Sequence, residues 1–305
     1  MPAEGERFER AMNVIIPIPN HDFDPTEVAV TWKTLHDAGH VVAFATPNGE
    51  RASADDLMLT GRGLDPWGFV PGLNALRLVG GILAADKNAL AAFAEMEHDP
   101  KFLAPIAFGA LSAPDYDALA LPGGHRARGM TAYLESARLA SFVGHFFDAN
   151  KPVGAICHGV VVAARARSTI TGKSALYGHK TTSLTWRQER LAWSIGRVAR
   201  FWDPHYYRTY RELRGEPPGY RSVQSEVTRA LARPEDYLDV PPGTPDYARK
   251  TDGRHRDTQS DDRPAFVVRD GVYVSARWPG DAHTFARTLL AVMSDVQKGA
   301  PPPQS

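Results

Sequence analysis

Short apolar runs alternate with amphipathic helical patterns along this chain, and that alternation constrains the fold more than any other feature. AMNVIIPIP (11–19) is a β-branched apolar run closed by prolines and reads as a buried strand. Asp24 then stands as a helix N-cap with Pro25 at the first helical position, and Gly39 sits at the end of the helical segment 24–39. VVAFATP (41–47) supplies the next strand. A strand–helix–strand unit of this kind builds a parallel sheet covered by helices. After a loop-rich stretch (50–85), the rhythm continues with a helix over 88–97 and a strand over 115–124 that runs into a glycine turn. A helix over 133–151, a strand over 152–157 and a helix over 159–167 follow. Residues 168–185 suggest short strands or a hairpin, and 265–279 a hairpin around Arg269, Asp270 and Gly271. A helix over 281–297, capped by Asp281, closes the pattern.

The expected organisation is one α/β domain over 11–297 with a mainly parallel sheet. An N-terminal tail (1–10) precedes it and a disordered tail (298–305) follows. Segment 190–264 interrupts the rhythm and is expected to be a helical or loop insertion. Residues 187–233 hold ten Arg and no Lys against five acidic residues, about +5 by that count. Aromatics such as Trp193, Trp202, Tyr206 and Tyr207 are interleaved with them. The segment reads either as a lid over an anionic or aromatic ligand, or as a packed insertion with solvated arginines.

Charge excludes more than it suggests. Lys+Arg and Asp+Glu both total 35, so nothing global favours nucleic acid or an anionic membrane as partner. The opening MPAEGERFER carries no apolar stretch of signal length, and no later run approaches the roughly 18 residues that span a bilayer. A soluble, cytoplasmic protein is expected. His21, Asp22 and Asp24 cluster after the first strand, but a helix cap explains them better than a metal site. No P-loop, G-x-G-x-x-G or H-E-x-x-H occurs, so neither cofactor nor metal is expected.

One cysteine, Cys157, lies in GAICHG (154–159), where a strand ends and a helix begins. Strand, tight turn and helix form a nucleophile elbow, here spaced G-x-x-C-x-G. A cysteine at a helix N-terminus meets the positive end of the helix dipole, which favours the nucleophilic thiolate. LPGG (121–124) ends another strand, so Gly124 and His158 could offer backbone N–H groups to an oxyanion. Glu27 follows the first strand. Ligands of open parallel sheets bind at the carboxyl ends of strands, which would bring Glu27, Gly124 and Cys157 together. Beside the sulfur, Glu27 would either donate a proton to it or, if ionised, raise its pKa.

Glu27 with Gly39 twelve residues on, LPGGH (121–125) and AICHG (155–159) together resemble the ThiJ/PfpI superfamily with the class I glutamine amidotransferase-like fold, over most of 11–189 and again over 265–297. The resemblance implies a flavodoxin-like three-layer α/β sandwich, commonly dimeric, so a homodimer is expected. It implies Cys157 as nucleophile and Glu27 as the acid touching its sulfur. GGH, the His after the cysteine and Glu189 resemble the branch of stress chaperones and glyoxalase III enzymes, in which Glu189 would hold His158 and complete a Cys-His-acid triad. Arg126 stands where that branch commonly has glycine. His179 and Glu189 are ten residues apart, which does not match the H-x-E of amidotransferases.

The leading expectation is a cofactor-free, stress-protective enzyme for small reactive carbonyls, converting methylglyoxal to lactate through a Cys157 hemithioacetal. The rivals are a Cys-dependent hydrolase of peptide, amide or isonitrile-type substrates, and a redox sensor or holdase chaperone in which Cys157 oxidises to a sulfinic acid beside Glu27.

Overall fold

The computed structural model describes residues 10–299. The strands are β1 (Asn13–Pro17), β2 (His21–Phe23), β3 (Val41–Thr46), β4 (Ser53–Ala54), β5 (Ile106–Ala107), β6 (Ala118–Leu121), β7 (Val153–Ile156), β8 (Val267–Asp270) and β9 (Tyr273–Ala276). Before the elbow the helices are α1 (Pro25–Asp37), α2 (Asp56–Thr60), α3 (Val79–Leu83), α4 (Lys87–Met96), α5 (Pro100–Leu103), α6 (Ala127–Leu134) and α7 (Ala137–Asp148). After it come α8 (Gly159–Arg165), α9 (Trp186–Ala199), α10 (Val223–Ala230), α11 (Tyr247–Thr251) and α12 (Ala282–Lys298).

Seven strands form one sheet in the order β5-β3-β1-β6-β7-β9-β8, parallel except for the β8–β9 hairpin. The side-chain period of two splits each central strand between two cores. Ile15, Leu119 and Leu121 pack into a core with residues of α6, α7, α8 and α10. Their neighbours Val14, Ile16, Ala118 and Ala120 pack on the other face with residues of α1, α4 and α12. The result is a helix–sheet–helix sandwich of the flavodoxin-like type. Among the described residues no helix is long and apolar enough to cross a membrane.

Local chemistry explains where the elements depart from expectation. The helix expected over 133–151 breaks at Glu135–Ser136, because the Ser136 hydroxyl accepts from the Leu139 N–H and starts α7 afresh. Residues 168–185 form no strand. The Ser168, Thr171 and Ser174 hydroxyls accept from nearby backbone N–H groups, which competes with a ladder and leaves isolated bridges at Arg167–Ser174 and Thr181–Tyr237. Asp281 does not cap α12 with its side chain. Its buried carboxylate is taken by Arg277, and Asp257, from the insertion, accepts from the His283 and Thr284 N–H groups instead. The insertion boundary at 190 cuts through α9, which starts at Trp186 under a Thr185 cap. The expected tails lie almost wholly outside the described residues, although Lys298 is the last residue of α12.

Candidate active site

The sequence GAICHG is an elbow for steric reasons. Cys157 has φ 57°, a left-handed conformation that is costly for a residue with a side chain and turns the thiol out of the strand direction. Gly159 starts α8 where a Cβ would stand 1.9 Å from the Leu121 carbonyl oxygen, so only glycine lets the helix leave beside β6. Across the elbow lies Gly123, whose added Cβ would meet the His158 nitrogen at 2.7 Å and the Cys157 Cβ at 3.1 Å. Tyr133 holds this turn by donating to the Pro122 carbonyl at 2.9 Å. At Gly124, the expected oxyanion donor, an added Cβ would meet the Asp22 carbonyl oxygen at 2.5 Å, and no acceptor for its N–H occurs among the described residues. Gly123 is thus the glycine packed against the sulfur-bearing residue.

Glu27 arrives from the first turn of α1, and Asp24 caps that helix by accepting from the Thr26 and Glu27 N–H groups. The Glu27 side chain is fully buried. Its Oε2 accepts from the Gly123 N–H at 2.6 Å, while Oε1 has no nitrogen or oxygen partner and the carboxyl interacts with the Cys157 thiol. Burial, with Asp24 second, raises the Glu27 pKa well above the ordinary carboxyl value, which favours the protonated form.

Burial also raises the Cys157 pKa, with Glu27 and Asp24 adding to it. The His158 N–H pulls the other way and does not prevail. The expectation that the helix N-terminus makes a resting thiolate is therefore corrected. Cys157 is 5% exposed, and desolvation outweighs the stabilisation that the His158 N–H offers a thiolate. The thiol needs a base.

His158 is the group placed to accept its proton. Its Nδ1 lies 3.5 Å from Cys157 Sγ, and its Nε2 lies 3.1 Å from the Thr209 hydroxyl. That hydroxyl is 2.6 Å from the His125 carbonyl, which can only accept, so the one hydroxyl proton goes there. Thr209 Oγ1 must then accept from His158 Nε2–H. This fixes the tautomer and leaves the Nδ1 lone pair facing the thiol. Burial pushes the His158 pKa down to about 3, helped by nearby His125, Arg208 and Arg165, so the ring is neutral at pH 7.

The expected Cys157–His158–Glu189 line does not form. Glu189, buried at the start of α9, pairs with Arg208 and accepts from the Val223 N–H at 3.1 Å. Burial lifts its pKa to about 7 against the charge of Arg208, yet every recorded partner is a donor, so the geometry serves the ionised form. Thr209 holds the position expected of the acid. It lies in the segment 190–264, and its only sequence signal is a hydroxyl between Arg208 and Tyr210 in an aromatic, basic run. Arg126 turns away to Asp22 and Asp56 and lies over the Tyr206 ring.

A cavity of about 470 Å³ opens on Cys157, roofed by α9 and residues 252–256 of the insertion. An elbow cysteine, a glycine turn packed on it and a buried acid at the first helix are now all in place. A family model described as ThiJ/PfpI family-like matches residues 18–214. The chain belongs to this ThiJ/PfpI-like family.

Solved structures share the fold at low identity. Glyoxalase III from Candida albicans is 16% identical with a TM-score of 0.56, covering 92% of this chain and 97% of that one. The 24 kDa rapid encystment protein of Francisella tularensis is 15% identical with a TM-score of 0.54, covering 92% and 99%. A ThiJ/PfpI domain protein from Brachyspira murdochii is 15% identical with a TM-score of 0.50, covering 94% and 98%. No curated protein sequence matches. The ThiJ/PfpI model ends at Arg214, so it runs through Arg208 and Thr209 and includes the first part of the expected insertion.

The Glu27 pKa carries a stability prediction. A carboxyl with a raised folded pKa leaves stability intact below about pH 4.5 and removes it as pH rises toward the folded value, because the unfolded chain ionises first. Glu27→Gln is therefore expected to unfold at a higher temperature than wild type at pH 8, with the gap closing as pH falls to about 4.5. Calorimetry across that range checks it, and a gap that stays constant with pH would mean that Glu27 is ionised when folded.

Proposed function

We propose that this ThiJ/PfpI-like protein is a cofactor-free, Cys157-dependent enzyme that converts a 2-oxoaldehyde to its 2-hydroxy acid, in the manner of a glyoxalase III. One observation carries the reading. A buried thiol stands between a neutral histidine whose free Nδ1 faces the sulfur and a protonated carboxyl, so it has a proton acceptor on one side and a proton donor on the other. That a glyoxalase III shares the fold is in keeping with it.

The steps balance without an external oxidant. Sγ bonds to the aldehyde carbon while the thiol proton passes to His158 Nδ1, and the aldehyde oxygen takes the Glu27 proton. Glu27, now an ionised carboxylate in a dry site, is a strong base and removes the C–H proton of that carbon. The electron pair moves toward the neighbouring carbonyl, whose oxygen takes the proton from His158, giving an enediol. Glu27 returns its proton to the second carbon and accepts one from the first hydroxyl, which leaves a thioester of the 2-hydroxy acid. Water attacks this ester, the C–S bond breaks, and the acid leaves. One carbon is oxidised by two electrons and its neighbour reduced by two. The Gly124 and His158 N–H groups are the proposed donors to the developing oxyanions.

The low exposure and raised pKa of Cys157 disfavour a sensor, whose cysteine needs an accessible thiolate. Purified protein and Cys157→Ala, given methylglyoxal without glutathione, test the proposal by coupled detection of lactate. Wild type is expected to form lactate and Cys157→Ala none. Lactate from neither protein sinks the reaction and turns attention to amide substrates.

A further inference from the structure

The cavity over Cys157 holds far more than a three-carbon dicarbonyl. Its volume of about 470 Å³ lies in the range of pockets that enclose drug-sized ligands, roughly 300–1,000 Å³. Two kinds of wall line it. Met58, Leu64, Leu83, Leu191 and Ile195 form an apolar side drawn from the α2–α3 region and from α9. Among the remaining lining groups are buried donors with no acceptor among the described residues: Gln188 Nε2, Tyr207 Oη, Arg256 Nε and Trp278 Nε1. Buried polar groups are rarely left unmatched, and four gathered in one cavity point to an oxygen-rich ligand.

Charge agrees. Arg256 makes no ion pair among the described residues. Its guanidinium lies over the Trp278 ring, 5.6 Å from the centroid, and its charge is felt at Asp24, next to the Glu27 end of the site. The acids of the wall are already engaged. Asp24 accepts from the Thr26 and Glu27 N–H groups, Glu189 pairs with Arg208, and Asp252 accepts from His255 and from the Arg254 N–H. Arg254 also lines the cavity without an ion pair among the described residues, but Arg256, which donates one N–H to the Leu83 carbonyl and lies over Trp278, is the cation felt at Asp24, close to the carbonyl chemistry.

We propose that the cavity binds amphipathic 2-oxoaldehydes and their 2-hydroxy carboxylates, with the oxygen-bearing end at Cys157 and Arg256 and a medium-length alkyl or aryl tail against α9. This rests on the reaction proposed above for its carbonyl end. The binding test is independent of turnover.

Calorimetric titration of Cys157→Ala with 2-hydroxyoctanoate, lactate and 1,2-octanediol reads it. Each buried methylene is worth about fourfold in affinity. Because the cavity is partly open, the five extra methylenes of 2-hydroxyoctanoate are expected to give at least about 100-fold tighter binding than lactate. Adding Arg256→Gln is expected to weaken 2-hydroxyoctanoate about tenfold and leave 1,2-octanediol unchanged, as loss of a charge-assisted contact requires. Ile195→Glu, at a position 45% exposed and so tolerant of change, is expected to weaken the long acid and spare lactate. Equal binding of lactate and 2-hydroxyoctanoate, or a diol that binds as well as the acid, overturns the assignment. Wild-type turnover of 2-oxooctanal and methylglyoxal is then compared. Preferred binding of the long acid with turnover of neither aldehyde leaves the ligand class standing and rejects the reaction.

Discussion

Arg208→Met is expected to lower folding stability by about 3–5 kcal/mol, the cost of leaving one partner of a buried ion pair unmatched. The Arg208 side chain is fully buried, with the Trp186 and Trp193 rings 4.9 and 5.6 Å from its guanidinium carbon. It joins Glu189 on α9 to Glu212, and Glu189 also accepts from the Val223 N–H that opens α10. Removing the guanidinium leaves Glu189 without its cation in a site 2% exposed, where it must either hold an unpaired charge or take up a proton. The prediction has an internal control. Glu189→Gln keeps an acceptor for Val223 and removes the charge, so Arg208→Met with Glu189→Gln is expected to recover most of the loss. Urea unfolding of the four proteins measures it. A single variant within about 1 kcal/mol of wild type would mean that water reaches the pair, as at a surface bridge.

This pair also marks the limit of what the sequence reveals. The sheet, α1 and the elbow are legible because their signals are local. A β-branched run closed by prolines, Asp24-Pro25 at a helix start and glycines at 154 and 159 each state a backbone requirement within a few residues. Glu27, Gly123 and Cys157 come together because three neighbouring strand ends must do so in a parallel sheet. Glu189 was expected to hold His158, and nothing local could have revealed that an arginine nineteen residues on claims it instead. An Arg-rich run reads as solvated surface by composition. Burial of Arg208 between two tryptophan rings, and of Arg256 against Trp278, depends on how the 190–264 segment closes over the site, which no periodicity in it encodes. The same blindness hid Asp257 as the acceptor for the first N–H groups of α12.

Thr209→Val is expected to lower kcat for lactate formation by about 100-fold with little change in KM, and Thr209→Ser to restore it. The residue is 8% exposed and valine matches its shape, so the fold survives the change. What is lost is the acceptor that keeps the proton on His158 Nε2, together with the hydroxyl's bond to the His125 carbonyl. Without it the proton can move to Nδ1, where it faces Cys157 Sγ and removes the base that the thiol requires. Thr209 is thus a positioning residue, acting through the ring rather than on substrate. Imidazole ¹⁵N shifts report the tautomer directly, a readout that loss of packing alone would not move. The pH profile adds a second check. With the His158 pKa near 3, wild-type kcat/KM is expected to pass through pH 6.5 without an imidazole inflection. An inflection there would mean that the His158 ring titrates near its ordinary value rather than near 3, and a Thr209→Val enzyme within about twofold of wild type would take the Thr209-fixed tautomer out of the mechanism.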